Sequence, residues 1–133
     1  MIPRFDESGR LSAGVHPATL DEIDARFGHE SELRRVQMES VRWMIDLARR
    51  AAVQRIILNG SFVTDIMEPN DVDCVLLLMP GHRRDRGAVK QLRSGLPFLD
   101  LKLVGQVDFD EYVNVTFGTD RDGLPKGVIE VIL

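Results

Sequence analysis

The sequence RIILNGSFVTDIMEPNDVDCVLLLM at residues 55–79 contains two apolar runs joined by a more polar segment. Residues 55–59 are short, β-branched and followed by a glycine and a serine, which predicts a strand. Residues 68–70 carry a turn signal, and residues 72–79, apart from one aspartate near their start, are apolar on both alternating faces. That pattern is typical of a central strand covered on both sides. Because the connection is shorter than a usual parallel crossover, we predict an antiparallel pair.

Helical patterns precede this stretch. Thr19 and Glu22 form a capping-box signal for a short helix that stops at Gly28. In residues 31–52 apolar side chains recur at three- and four-residue steps, which predicts a long helix with one apolar face. The charged residues of this helix fall mostly elsewhere and indicate a solvated face: Arg34, Arg35, Glu39, Arg42, Asp46, Arg49 and Arg50.

The remaining segments have weaker patterns. Residues 1–18 show no clear period and are interpreted as an arm lying on the domain or a loose end. Residues 83–94 predict a basic helix, and residues 98–104 and 127–133 predict strands. Residues 108–117 combine a helix-cap signal with strand-forming side chains, so both helix and strand stay open there.

Length and composition predict one globular domain over residues 1–133. A mass of 15.0 kDa, with 44% apolar and 29% charged residues, excludes disordered, collagen-like and coiled-coil classes. The predicted fold class is α/β (α+β in stricter usage), with a small mixed β-sheet and helices mainly on one face. The apolar stripe on the 31–52 helix is compatible with packing in the core of a monomer and with a homodimer interface, so both oligomeric states remain open.

The charge balance argues against nucleic-acid binding through bulk charge, because the net charge is −4. A local basic patch stays compatible with this balance. One basic cluster is interpreted as a solvated helix face rather than an RNA or triphosphate contact: Arg83, Arg84, Arg86, Lys90 and Arg93.

Localisation is predicted from what the sequence lacks. Cys74 is the single cysteine, so no internal disulfide can form. The longest apolar run, residues 74–80, is far short of a membrane span, and residues 1–7 lack an apolar secretion signal. We therefore expect a cytoplasmic protein without a membrane partner.

Asp71 and Asp73 point to metal chemistry. Side chains alternate along a strand, so the two carboxylates project from one face at the entry of the most apolar strand. Carboxylates held side by side near a core repel each other and lose hydration, and a hard divalent cation is the usual compensator. The simpler alternative is a turn-capping aspartate followed by a buried aspartate paired with an arginine.

Gly60 and Ser61 add an anion site to these carboxylates. Glycine lets the backbone approach a ligand closely, and Ser61 at the start of a short helix would offer amides and a hydroxyl to a phosphate. For Ser61 alone, an ordinary helix cap is the simpler interpretation. A phosphate cradle beside a carboxylate pair outlines a nucleoside triphosphate site.

This order of elements resembles the nucleotidyltransferase superfamily that shares the DNA polymerase beta catalytic core. The resemblance rests on a strand, Gly-Ser, about ten residues and Asp-x-Asp opening an apolar strand, and it covers residues 55–104. A narrower likeness, to a small group of bacterial proteins with this core, rests on residues 14–22, 60–64, 69–73 and 120–127.

The resemblance implies a nucleotidyltransferase-like fold, Mg²⁺ or Mn²⁺ as cofactor, and a set of site residues. The implied metal-binding and catalytic residues are Asp71, Asp73 and Asp100; the implied phosphate-binding residues are Gly60, Ser61 and Lys102. Asp108 and Asp110 are weaker candidates for the third carboxylate. A surface acid paired with Lys102 is an alternative interpretation of Asp100.

The resemblance also implies a function: transfer of a nucleotidyl group, AMP from ATP, to a hydroxyl on a protein or RNA acceptor. Residues 62–65 carry an acid where members with this core often carry an arginine, and the chain is small. These two features motivate an alternative: a catalytically weak binding module that acts through a partner protein, for example in a toxin–antitoxin pair.

Overall fold

A five-stranded mixed sheet forms the centre of the fold in the computed structural model, which describes residues 2–116 and 126–133. The strands are β1 (Gly14–Ala18), β2 (Arg55–Asn59), β3 (Val72–Leu77), β4 (Leu99–Val104) and β5 (Gly127–Val131). The helices of the described part are α1 (Leu20–Phe27), α2 (Glu32–Arg50), α3 (Arg86–Ser94) and α4 (Gln106–Glu111). A 3₁₀ turn at Ser61–Val63 follows β2, and a π-helical turn at Tyr112–Thr116 follows α4.

The strand order is β1-β5-β2-β3-β4. Strand β2 pairs antiparallel with both β3 and β5, whereas β1–β5 and β3–β4 are parallel. The antiparallel pairing of β2 with β3 confirms the prediction from the short connection. The apolar β3 lies inside the sheet and is buried along most of its length, as its sequence predicted.

Helices α1, α2 and α3 cover the first face of the sheet. Their apolar side chains pack with one another and with the inward side chains of β2, β3 and β5, including Ile56, Leu58, Cys74, Leu76 and Ile129. Both cap predictions are confirmed, since Thr19 and Glu22 form the capping box of α1 and Ser31 caps α2. Helices therefore lie mainly on one face, as expected.

The second face is divided into an apolar end and a polar end. Phe109 of α4 packs there against Ile57, Val75, Leu77 and Val128. Of the segment left open in the sequence, residues 108–116 are helical and residue 117 lies outside the described residues. Beyond this cluster the same face carries the carboxylates of β3 and β4. No helix in the part of the chain that the structure describes is long and apolar enough to cross a membrane.

Several boundaries differ from the sequence prediction. The arm at residues 1–18 contains β1, whose parallel partner β5 is remote in sequence and therefore invisible to local patterns. Asp85 caps α3 through the Ala88 amide, so the basic helix begins after the cap at Arg86 rather than at residue 83. Phe98 has a positive φ of 64°, so β4 begins at the next residue.

Candidate active site

Two of the predicted carboxylates meet at the polar end of the second face. Asp73 of β3 is in register with Asp100 of the parallel neighbour β4. Adjacent strands lie about 4.8 Å apart, so the two side chains project from neighbouring positions on one face. Asp73 is partly buried, and Asp71, one residue before β3, is exposed.

Gly60 lies directly against the Asp73 carboxylate. Asn59, the last residue of β2, is paired with Asp73, which places Gly60 beside that side chain. A Cβ on residue 60 would lie 2.5 Å from Asp73 Oδ2, and Gly60 has a φ of 84°. The positive φ makes a side chain at position 60 unfavourable, and the short distance shows that the backbone of Gly60 approaches the carboxylate closely.

The electrostatics of Asp73 reflect its burial and, after that, the like charges beside it. Burial raises the pKa of Asp73, and the carboxylates of Asp100 and Asp71 raise it further, while Lys126 and Lys102 act in the opposite direction. Asp73 makes no ion pair with an arginine in the described part of the chain.

Lys102 forms an ion pair with Asp100 rather than with Asp73. Its Nζ lies 3.3 Å from Asp100 Oδ1, and both side chains are about half exposed. The structure therefore shows the strand-edge pair that the sequence analysis kept as an alternative for Asp100. An exposed pair of this kind contributes little to stability, and a ligand can displace the lysine at low cost.

Asn59 adds a polar atom that sequence reasoning missed. Its side chain is 3% exposed, and its Oδ1 has no hydrogen-bond partner within the described residues. A buried acceptor without a partner is costly, so this oxygen is available to a cation or donor at the site. The available signal was a polar residue that ends an apolar strand immediately before Gly60.

The Gly-Ser turn presents Ser61 beside these groups. Residues Ser61–Val63 form a 3₁₀ turn without a side-chain cap. The Ser61 hydroxyl makes no hydrogen bond to any part of the chain that the structure describes, while its carbonyl accepts the Thr64 hydroxyl at 2.6 Å. The turn is therefore ordered through its carbonyls and leaves its hydroxyl for a ligand.

Arg34 of α2 is buried and binds the main-chain carbonyls of this turn. The sequence analysis placed it on a solvated face, and that prediction is wrong. The side chain is 1% exposed, and its guanidinium lies 5.3 Å from the Phe62 ring centroid. It donates hydrogen bonds of 2.5–3.3 Å to main-chain carbonyl oxygens of Phe27, Ser61, Phe62, Thr64 and Ile66. Burial lowers the pKa of Arg34, and Glu30 and Asp65 oppose that shift.

Ser31, the N-cap of α2, and Gln37 of α2 also donate hydrogen bonds to main-chain carbonyls of the same connection. Ser31 Oγ donates to the Met67 carbonyl at 2.9 Å, and Gln37 Nε2 donates to the Pro69 carbonyl at 2.8 Å. Together with Arg34 they form what we call the loop clamp: Ser31, Arg34 and Gln37. Because these residues are spaced by three along a helix, they face one side and fasten the connection from Gly60 to Asp71.

The two weaker candidates for the third carboxylate, Asp108 and Asp110, lie on α4 rather than beside Asp73. Asp108 lines a cavity of about 520 Å³ with Val104, at the opposite end of β4 from Asp100. Asp110 accepts a hydrogen bond from Gln106 on the same helix. Within residues 2–116 and 126–133, no three histidine, cysteine, aspartate or glutamate side chains are grouped closely enough to hold a metal ion as they stand.

Comparisons with known proteins identify a family. The model of a family of unknown function, DUF6932, matches residues 3–132, so the chain belongs to that family. No curated protein and no solved structure matches the chain significantly.

Proposed function

We propose that this member of a family of unknown function is a metal-dependent nucleotidyltransferase that moves AMP from ATP to a hydroxyl on a protein or RNA acceptor. One observation carries the proposal. Asp73 of β3 stands in register with Asp100 of β4, and its carboxylate lies against the side-chain-free backbone of Gly60. A carboxylate pair and a Gly-Ser turn at one sheet edge match the arrangement that the sequence resemblance implies.

The donor set fits Mg²⁺ or Mn²⁺. Hard cations take oxygen ligands, and this edge offers the carboxylates of Asp71, Asp73 and Asp100 together with the unpartnered Asn59 Oδ1. Burial raises the pKa of Asp73 and the Asp100 and Asp71 carboxylates raise it further, so a divalent cation would compensate for both lost hydration and repulsion. Binding requires the exposed Asp71 side chain to turn towards Asp73, which a residue outside the strand can do.

The reaction follows from these groups. The acceptor hydroxyl oxygen forms a bond to the α-phosphorus of ATP, the bond to the β-phosphate oxygen breaks, and pyrophosphate leaves. Asp100 takes the hydroxyl proton once Lys102 moves from it to the phosphates, while Gly60 and Ser61 hold the distal phosphates. The metal, when bound, supplies charge stabilisation for the phosphate oxygens.

A thermal-shift titration with ATP, GTP, CTP and UTP, each with and without Mg²⁺, tests the site. ATP at ten times its Kd stabilises a protein by about 1.4 kcal/mol, a rise of roughly 3–8 °C in Tm. We expect this shift to need both metal and nucleotide and to disappear in Asp73→Asn. The matched control is Asp46→Asn, whose side chain is 70% exposed on α2. A shift retained in Asp73→Asn contradicts the proposal.

Activity provides the second measurement. Transfer of label from α-labelled ATP to a protein or RNA acceptor should fall at least about 100-fold in Asp73→Asn, the usual cost of losing a group that stabilises transition-state charge. Full transfer by that variant would exclude the mechanism.

A second function, a catalytically weak module that acts through a partner protein, is favoured by one observation. Asp100 is engaged by Lys102, and the described carboxylates do not form a ready-made metal site. A stable complex with a co-purifying partner that is lost in Asp71→Arg, without any nucleotide-dependent thermal shift, would support this function. A nucleotide- and metal-dependent shift in the isolated chain would oppose it.

A further inference from the structure

A basic groove lies at the other end of β3. It has a volume of about 520 Å³ and is lined by Leu78, His82, Arg83, Arg84, Arg86, Val89 and Arg93. The floor is apolar, formed by Leu78 and Val89, and the arginines stand around it. We call this feature the arginine groove.

The arginines of this groove lack acidic partners among the residues that the structure describes. Arg83, Arg86 and Arg93 are exposed and make no ion pair with any residue that the structure describes. Arg84 donates to the main-chain carbonyls of His82 and Met79, so it shapes the loop rather than neutralising a carboxylate.

The one acid within this basic stretch of the sequence, Asp85, is engaged elsewhere. Asp85 accepts the Ala88 amide as the α3 cap, and its other oxygen lies 3.8 Å from Arg50 Nη1. A chain with a net charge of −4 therefore concentrates unneutralised positive charge around one concave surface. Such a concentration attracts polyanions even when the net charge does not.

The groove is separate from the carboxylate site. Asp73 lies at the start of β3 and Leu78 immediately follows its end, so the two sites are about 17 Å apart along the strand. A nucleotide at the carboxylates would leave the groove open.

We propose that the arginine groove binds the phosphodiester backbone of single-stranded nucleic acid. Guanidinium groups present a planar fork that suits phosphate oxygens. Three arginines around one groove, without an ion pair in the described part of the chain, suit a chain of repeated phosphates. His82 is the only aromatic side chain among the described residues that line the groove, so stacking on bases is limited and sequence preference should be weak. If the proposed transferase activity holds, this surface makes a nucleic acid the acceptor, but binding itself does not depend on that activity.

The test is a fluorescence-anisotropy titration of the full chain with a labelled twelve-residue uridine RNA, without Mg²⁺ or ATP. For single strands, the logarithm of the binding constant falls by about 0.7 per phosphate contact for each tenfold increase in salt concentration. Three contacts, from Arg83, Arg86 and Arg93, predict a slope of about −2 and a roughly 20-fold weaker affinity at 200 mM than at 50 mM salt. The double variant Arg83→Gln/Arg93→Gln should reduce the slope to about −0.7 and the salt effect to roughly threefold.

The matched control is Arg4→Gln/Arg35→Gln, which also removes one loop arginine and one helix arginine, both exposed. We expect this control to keep the wild-type slope, and we expect the DNA oligomer of the same sequence to bind similarly. Equal losses in both double variants, no binding at 50 mM salt, or competition by poly-glutamate at matched charge would overturn the proposal. Competition by free ATP at a stoichiometry of one would also overturn it, because it would assign the groove to nucleotides.

Discussion

The two connections that flank β3 are built in opposite ways. The connection before β3, residues 60–71, is fastened from outside by the loop clamp on α2. The connection after β3, residues 78–85, is held largely by itself, with Arg84 donating to carbonyls of its own segment. Its two ends are joined to the rest of the fold, by bonds from the Leu78 amide to the Val104 carbonyl and from the Asp85 amide to the Arg50 carbonyl.

The difference teaches how a loop acquires a fixed position without a core of its own. No residue of 78–85 is buried, whereas the first connection buries Phe62 and Val63 in the core and also exchanges carbonyl–water hydrogen bonds for bonds to side chains of a packed helix. Its geometry is therefore set by α2, which suits groups that must meet at the Asp73 carboxylate. The second remains free to adapt, which suits contact with the flexible backbone of a polyanion.

Among the variants that test this comparison, removing Arg34 should lower the free energy of unfolding most. Arg34→Leu leaves several buried carbonyls without donors, and we expect the free energy of unfolding to fall by at least about 3 kcal/mol. Arg34→Lys should recover little of this stability, because the compact ammonium of lysine cannot donate to all the carbonyls that surround the planar guanidinium. Urea unfolding monitored by circular dichroism measures the loss.

Arg84→Gln is the matched change in the other connection. It should cost less than about 1 kcal/mol, because Arg84 is not fully buried and water can replace its bonds. Equal losses in the Arg34 and Arg84 variants would show that the two connections do not differ as described.

Gln37 should have an intermediate effect. Gln37→Leu removes the donor to Pro69 and Asn70 but also removes Oε1, a buried oxygen without a partner in the described chain. These changes partly offset, so we expect a loss of about 1–2 kcal/mol in the same urea assay. The control Gln54→Leu alters an exposed glutamine and should change stability by less than about 0.5 kcal/mol.

The smallest expected effect concerns the charge at the start of β3. The pKa of Asp73 is raised in the folded protein, so the folded state holds this proton more tightly than the unfolded chain. Its favourable contribution is complete below the ordinary value of 3.8 and is lost as pH rises through the folded pKa. Asp73→Asn should therefore gain stability relative to wild type as pH rises, by less than about 1 kcal/mol.

This gain is measured by urea unfolding in EDTA at a series of pH values between 3 and 7 (about one unit apart). The Asp46→Asn variant, on the exposed side of α2, should show no comparable trend. A difference between wild type and Asp73→Asn that stays constant with pH would contradict the assigned crowding of carboxylates.

Local patterns were sufficient for most of the fold. The boundaries of β2, the capping box of α1 and the start of α2 follow from residues within one or two turns of each other. Strand β1 could not be predicted, because Gly14–Ala18 contains a proline and lacks alternation, and its pairing partner lies at the other end of the described chain.

The candidate site was predictable in part. Asp73 and Gly60 were identified from motif and spacing and Asp100 from the family resemblance, and the structure brings the three together. Arg34 was misplaced because a helical wheel shows only charge and position, whereas its burial depends on carbonyls supplied by a remote loop. Asn59 and Lys126 were missed for a similar reason, since each becomes relevant only through its proximity to Asp73 in the folded sheet.

The strand order has a consequence for how this chain is made. Strand β5, synthesised after the other four strands, lies between β1 and β2, and Gly14 must find Gly127 across almost the whole described chain. Such high contact order slows folding, because the entropy of closing a long loop is lost before the strands gain their hydrogen bonds. During translation β1 and the inner edge of β2 remain unpaired until β5 emerges, so nascent chains paused before that point expose two strand edges to aggregation.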